Sequence, residues 1–274
     1  MSATTPRDEM SFLDHLEELR WHLIRSVLAI VIIASIAFVF KDFIFDVILF
    51  GPKKKSFITY RWFCSLSHTL GQGSSFCLEE LPFRIQSRTV AGQFSAHLWT
   101  SVLAGFIISF PYIIYEFWKF VSPGLYEKER KNARGFIFIA SLLFFIGVLF
   151  GYYIVTPLSI NFLGNYSVSS EIFNDFDLSS YIGLLRASVL ASGIIFELPI
   201  IIYFLTRVGI VSPEFLKKNR KISLVVVLSL SAIITPPDVV SQIIVSIPIL
   251  ILYEVSIIIA KIVTRNQDKA LTNV

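Results

Sequence analysis

Six apolar stretches divide the chain, at about Leu23–Phe40, Phe94–Tyr115, Gly135–Pro157, Tyr181–Thr206, Ile222–Pro237 and Val239–Ala260, each set off by charges or turn residues. A helix rises 1.5 Å per residue, so most of them can cross a hydrocarbon core of about 30 Å. Ile222–Pro237 covers only about 24 Å. It is either a short span in a thinned bilayer or a hairpin shielded by its neighbours. Ahead of the first stretch the pattern changes. Ser11-Phe12-Leu13-Asp14 has the form of a helix start, and Phe12, Leu16, Leu19 and Leu23 recur at helical spacing. Asp14 and Glu18 share the opposite face. A helix lying on anionic lipid carries lysine and arginine on its polar face, whereas this face is mainly acidic and suited to meeting a cation.

Composition agrees with the spans: 54% of residues are hydrophobic, 16% are charged and mean hydropathy is +0.70. The chain is a multi-pass membrane protein of a single integral membrane domain, residues 1–274. The N-terminus lacks the basic start, short apolar core and small-residue cleavage site of a removable signal peptide. Six spans put both termini on one side. Lys119, Lys128, Arg130, Lys131 and Arg134 follow the second span, and Arg207, Lys217, Lys218, Arg220 and Lys221 follow the fourth, so those loops and the termini are expected in the cytoplasm. The expected layout is an amphipathic helix at 1–22, an outer cap loop at 41–93, cytoplasmic loops at 116–134 and 207–221, and a cytoplasmic tail at 264–274. The cap loop opposes the charge rule, holding Lys41, Lys53, Lys54, Lys55, Arg61, Arg84 and Arg88, but long loops translocate with less regard to charge. The net charge of +4 is assigned to the cytoplasmic surface and not to nucleic-acid binding.

Candidate chemistry is sparse. Glu197 stands inside the fourth span, just before Leu198-Pro199. A central acid costs roughly 2.5–3.5 kcal/mol to insert, so it should face a cavity or a partner, the alternative being a buried structural hydrogen bond. Pro199 frees a carbonyl four residues earlier and should bend the helix there, giving a concave face. Glu254 lies near the end of the last span, where it can reach water. Cys64 and Cys77 can form one disulfide on an oxidising face, worth roughly 3 kcal/mol of loop entropy, or stand as two free thiols. With His68 they are too few for a metal site. No histidine in an apolar span has a plausible nucleophile or second ligand, and no phosphate-binding glycine loop is present, so neither an enzyme nor a cofactor site is read here.

Four blocks carry a family resemblance. They are His15-Leu16-Glu17-Glu18-Leu19-Arg20; Pro111-Tyr112-Ile113-Ile114-Tyr115-Glu116-Phe117-Trp118 with Pro123-Gly124-Leu125-Tyr126-Glu127-Lys128-Glu129-Arg130; Phe196-Glu197-Leu198-Pro199; and Thr235-Pro236-Pro237-Asp238-Val239-Val240-Ser241-Gln242. In this order, over nearly the whole chain, they resemble the TatC family, the polytopic subunit of the Sec-independent twin-arginine protein translocase. The cap loop is longer than that pattern and carries the cysteine pair. The resemblance implies an all-α fold: six transmembrane helices in a concave, glove-like bundle in the bacterial inner membrane, both termini cytoplasmic.

It further implies a receptor, not an enzyme, for folded proteins whose N-terminal signal carries consecutive arginines, driven by the proton gradient and assembled with the single-span subunits TatA and TatB in an oligomeric complex. The family's signal-recognition acids fall on Glu18 and Glu129, with Arg20 and Glu116 beside them. Glu129 could equally be an ordinary surface ion pair with Lys128, Arg130 or Lys131. Trp118 and Tyr115 read as interfacial belt residues. Thr235, Asp238 and Gln242 match the partner-docking cluster, although Asp238 could simply cap the last helix. A second class of function, an ion-coupled small-molecule transporter working through Glu197, is weighed against a chain with no internal repeat and no matched pair of broken spans.

Overall fold

The structure, a computed structural model, describes residues 12–69, 81, 83–122, 133–169, 171–235 and 238–272. Five helical stretches are long and apolar enough to cross a membrane: His15–Val39, Gly92–Val121, Gly135–Asn165, Leu178–Arg207 and Val239–Gln267. The chain forms two compact units, one of Met1–Val39 with Ser101–Ser141 and one of Phe40–Thr100 with Leu142–Val274.

The first unit pairs α1 (Phe12–Val39) with the later part of α3 (Gly92–Val121). No proline or glycine interrupts α1, so the amphipathic stretch and the first span are one continuous helix. The helices run antiparallel, since residue 22 meets 116 while residues 30 and 34 meet 105. Gly105 permits the approach: a Cβ there would lie 2.6 Å from the Ile30 carbonyl oxygen and 2.9 Å from Ala34 Cβ. Helix α3 runs on through Val121, so Glu116 is helical and does not open the cytoplasmic loop as the charge pattern suggested. Trp118 is no belt residue. It is buried and packs on Phe136, ring centroids 4.4 Å apart, because its face of α3 turns inward.

In the second unit the later part of α4 (Ala133–Phe150) passes through a wide π turn, Gly151–Val155, into α5 (Thr156–Asn165). Pro157 cannot donate to the carbonyl four residues back. That carbonyl, of Tyr153, takes the Thr59 hydroxyl instead, and Thr156 donates to Gly151 O at 2.8 Å. The α4 helix crosses α6 (Leu178–Phe196) on small residues. A Cβ on Gly147 would sit 2.6 Å from Ser192 O, and one on Gly151 2.7 Å from Ser188 O. The four-residue spacing on both helices brings backbone against backbone, the close packing that holds helices together where lipid offers no hydrophobic drive.

The expected break is present: α6 ends at Phe196, Glu197 stands between the helices and α7 (Leu198–Arg207) begins with Pro199 in its first turn. Beyond a short α8 (Pro213–Lys218), capped by Ser212, the chain enters α9 (Arg220–Ile234) and α10 (Val239–Thr272). At 15 residues α9 is shorter than a full span, and α10 continues well past the predicted apolar run. Ile202, Leu216, Tyr253, Ile257 and Ala260 form one core of the unit, and Val155, Val227, Val245 and Ile249 another. Glu254 reaches water as expected and pairs with Arg220 at 2.7 Å.

The cap loop is structured. It carries a π turn at Phe43–Leu49, α2 (Ile58–Thr69) and β1 (Arg84–Gln86), which pairs in parallel with β2 (Asp175–Asp177) in the register Arg84↔Asp175. This small sheet was not legible as periodicity, because three-residue strands carry too few positions. Several of the loop's bases are used internally. Lys53 lies over the Phe83 ring, Lys54 donates to Asp46 O, and Arg88 donates to Asp175 O. Hydrogen bonds from Ser179 hold the Asp177 carboxyl below its usual range, and burial raises the Tyr60 phenol. Cys64 on α2 is disulfide-bonded, and Cys77 lies outside the described residues.

At the α9–α10 turn the Thr235 hydroxyl donates to Ser231 O at 2.8 Å, and Asp238 accepts from Ser241 N at 2.8 Å and Ser241 Oγ at 2.7 Å. The capping alternative for Asp238 is therefore realised. Its carboxyl is held below the usual aspartate range by the Ser241 hydroxyl and by backbone donors.

Two outcomes follow for stability. Gly147→Val should lower stability by about 1–3 kcal/mol through overpacking, seen as an earlier midpoint in graded SDS unfolding; an unchanged midpoint would contradict the close approach. Asp238→Ala should cost about 1 kcal/mol at neutral pH. A depressed carboxylate stabilises above its unfolded value and loses that effect as pH falls through the folded value. The gap between wild type and variant should therefore close only below about pH 3.9, and a gap that closed near pH 6 would assign it to another group.

Candidate functional site

The opposite face of α1 reads Glu18, His22, Arg25 and Ser26 at three- and four-residue steps, which places them on one stripe. That stripe meets α3. His22 Nδ1 lies 2.6 Å from Glu116 Oε2, in a contact where the histidine is 8% and the glutamate 2% exposed. The Tyr112 hydroxyl also donates to Glu116, and Arg25 Nη1 stands 3.7 Å from the same carboxylate. One helical turn before His22, Glu18 Oε1 lies 4.0 Å from His22 Nε2. His15 stacks on Phe120, ring centroids 4.4 Å apart, and closes the end of the pairing.

The imidazole thus has a carboxylate at each ring nitrogen. Only the protonated ring can donate to both at once. The two acids differ in surroundings: Glu116 is buried and fully engaged, whereas the Glu18 side chain is 35% exposed. Glu18 Oε2 is a buried atom with no hydrogen-bond partner among the described residues. A cation brought from outside can reach the exposed part of this carboxylate, and a planar guanidinium that uncovers Oε2 can bond both oxygens together.

The structure brings Glu18 and Glu116 together and leaves Arg20 out. Arg20 is exposed and lies two positions from Glu18, off the shared stripe. Glu129 lies outside the described residues. His22 and Arg25 were missed by sequence reasoning, which searched the histidines only for catalytic or metal chemistry. Extending the Asp14–Glu18 step by four would have reached His22.

Glu197 is only 8% exposed, and its Oε1 has no hydrogen-bond partner among the described residues. Thr235 and Gln242 are engaged within the chain, the latter donating to Leu228 O at 3.0 Å and tying α10 to α9. No cluster of three metal-ligating side chains occurs among the described residues.

Comparison with known proteins gives the family. Residues 14–248 match the family model of TatC, the Sec-independent protein translocase protein. The Sec-independent protein translocase protein TatC of Blattabacterium sp. subsp. Periplaneta americana is 47% identical over 262 residues, covering 95% of this chain and 98% of that one. Its counterpart in Desulforapulum autotrophicum is 38% identical, covering 95% and 88%. The crystal structure of a twin arginine translocase receptor, TatC, superposes with a TM-score of 0.67 at 32% identity, over 91% of this chain and 99% of that one. The fold is that of a polytopic helical membrane protein, and the chain belongs to the TatC family of Sec-independent protein translocase subunits.

Proposed function

We propose that this chain is the signal receptor and core subunit of a twin-arginine translocase in a bacterial inner membrane. Glu18 accepts a guanidinium of the arginine pair, Glu129 supplies a second acid from the first cytoplasmic loop, and Glu116 holds the site together through His22. The observation that carries this reading is the Glu18 carboxylate, exposed on one side and with an unpaired oxygen on the other, beside a buried histidine–glutamate pair. Family membership supports the translocase role and removes the ground for an ion-coupled small-molecule transporter.

TatA and TatB are proposed to dock at the α9–α10 turn. Thr235 spends its hydroxyl proton and Gln242 one of its two amide protons inside the chain, so a partner helix would meet their acceptor lone pairs and the second amide proton of Gln242. Glu197, with an unpaired oxygen in an apolar span, is proposed to engage an inserted signal or partner helix after recognition. A Cys64–Cys77 bond closes the cap loop in the same reading, on the oxidising side of the membrane.

With purified protein in detergent, a peptide carrying two consecutive arginines should bind more tightly than the same peptide carrying two lysines. Glu18→Gln should weaken the arginine peptide about tenfold, the loss of one charge-assisted pair of roughly 1.4 kcal/mol, while Glu197→Ala stays within about twofold of wild type. Equal losses in the two variants would overturn the division between a recognition site and a later step.

A further inference from the structure

In the second unit, the segment between the first and second apolar spans lines an open cavity of about 750 Å³. That volume lies within the range of small-molecule sites, roughly 300–1,000 Å³. Its polar lining includes Lys41, Lys53, Lys54, Asp42 and Asp46, with Gln86 and Gln93 as amide donors. Three ammonium groups face two carboxylates, and Asp42 and Asp46 make no ion pair among the described residues. Lys54 uses one of its three N–H groups on Asp46 O, at 3.0 Å, and Lys53 rests over the Phe83 ring, 5.3 Å from its centroid, so both retain donors.

The apolar side of the cavity continues into the membrane. Phe94 lines it and is 64% exposed, and Leu98, one turn further along α3, is 45% exposed on the same face. An open polar cavity beside the start of a membrane-spanning helix, with an apolar stripe leading away from it, matches a lipid, whose head sits in the cavity while its chain lies on the stripe. The charge pattern selects the head. A bare phosphate would satisfy the lysines and be repelled by the two aspartates. A head carrying phosphate and ammonium satisfies both sets.

We propose that this cavity binds the phosphoethanolamine head of a glycerophospholipid in the leaflet on the side of the cap loop. The lysines and glutamines hold the phosphate, Asp42 and Asp46 hold the ammonium, and Phe94 and Leu98 receive an acyl chain. The site does not depend on the proposed receptor role.

The test is native mass spectrometry of the full-length, delipidated protein titrated separately with phosphatidylethanolamine, phosphatidylglycerol and free phosphoethanolamine. Wild type should retain phosphatidylethanolamine in clear preference to phosphatidylglycerol, with free phosphoethanolamine failing to displace it at equal concentration. Lys41→Gln alone should weaken retention about fivefold, and the Lys41→Gln/Lys53→Gln/Lys54→Gln protein should lose it. Asp42→Asn/Asp46→Asn should reverse the preference toward phosphatidylglycerol. Thermal unfolding of each variant checks that the fold survives, and Lys41→Gln, at an exposed position, supplies the reading if the triple variant does not fold. Retention unchanged by the lysine replacements would overturn the site. A wild-type preference for phosphatidylglycerol would overturn the choice of head, and displacement by free phosphoethanolamine would overturn the lipid as its source.

Discussion

The hydrogen bond between His22 and Glu116 is the constraint around which the recognition end of the molecule is arranged. It joins the first and second membrane spans at a depth where water does not reach either side chain, so neither group can be removed cheaply. Removing one member leaves the other buried without its hydrogen-bond partner, at a cost of about 1–3 kcal/mol and more where the survivor is charged. The same bond fixes the imidazole plane, and that plane sets the side from which Glu18 meets the second ring nitrogen. An exposed glutamate on a free helix would sample many rotamers. Here its position is bounded by a buried neighbour, and one of its oxygens is left without a hydrogen-bond partner among the described residues.

The second unit obeys a different rule. Its helices meet where Gly147 and Gly151 lie against the Ser192 and Ser188 carbonyls, so that even a Cβ on either glycine would collide with backbone. Prolines then decide where the regular ladder stops. Pro157 leaves the Tyr153 carbonyl to Thr59, coupling a membrane helix to the loop between the first two spans, and Pro199 accompanies the break at Glu197. Lipid cannot satisfy a freed carbonyl, so each interruption requires a named donor nearby.

Much of this was readable before any coordinates. Hydropathy located the long spans, the Pro199 break followed from a missing donor, and Asp238 was open to reading as a cap. Helix ends were less legible, since α3 and α10 run beyond their apolar stretches into charged residues that read as loop. Trp118 was misplaced because an interfacial tryptophan and a buried one look alike in sequence, and only the Phe136 contact separates them. The sheet between Arg84–Gln86 and Asp175–Asp177 depends on two distant loops meeting, which no local pattern encodes. His22 was overlooked for a different reason. Its function is to position carboxylates, and a single histidine in a charged stretch carries no motif for that.

The most direct measurement replaces the buried pair with an apolar one. In His22→Leu/Glu116→Leu both members are removed, so no buried group is left without its partner, Arg25 gives up only a contact made from a half-exposed position and the fold should survive, while the Glu18 side chain is retained. If the pair holds Glu18 for a guanidinium, this protein should bind twin-arginine and twin-lysine peptides with nearly equal affinity. A preference for arginine as strong as in wild type, in a folded protein, would contradict that role.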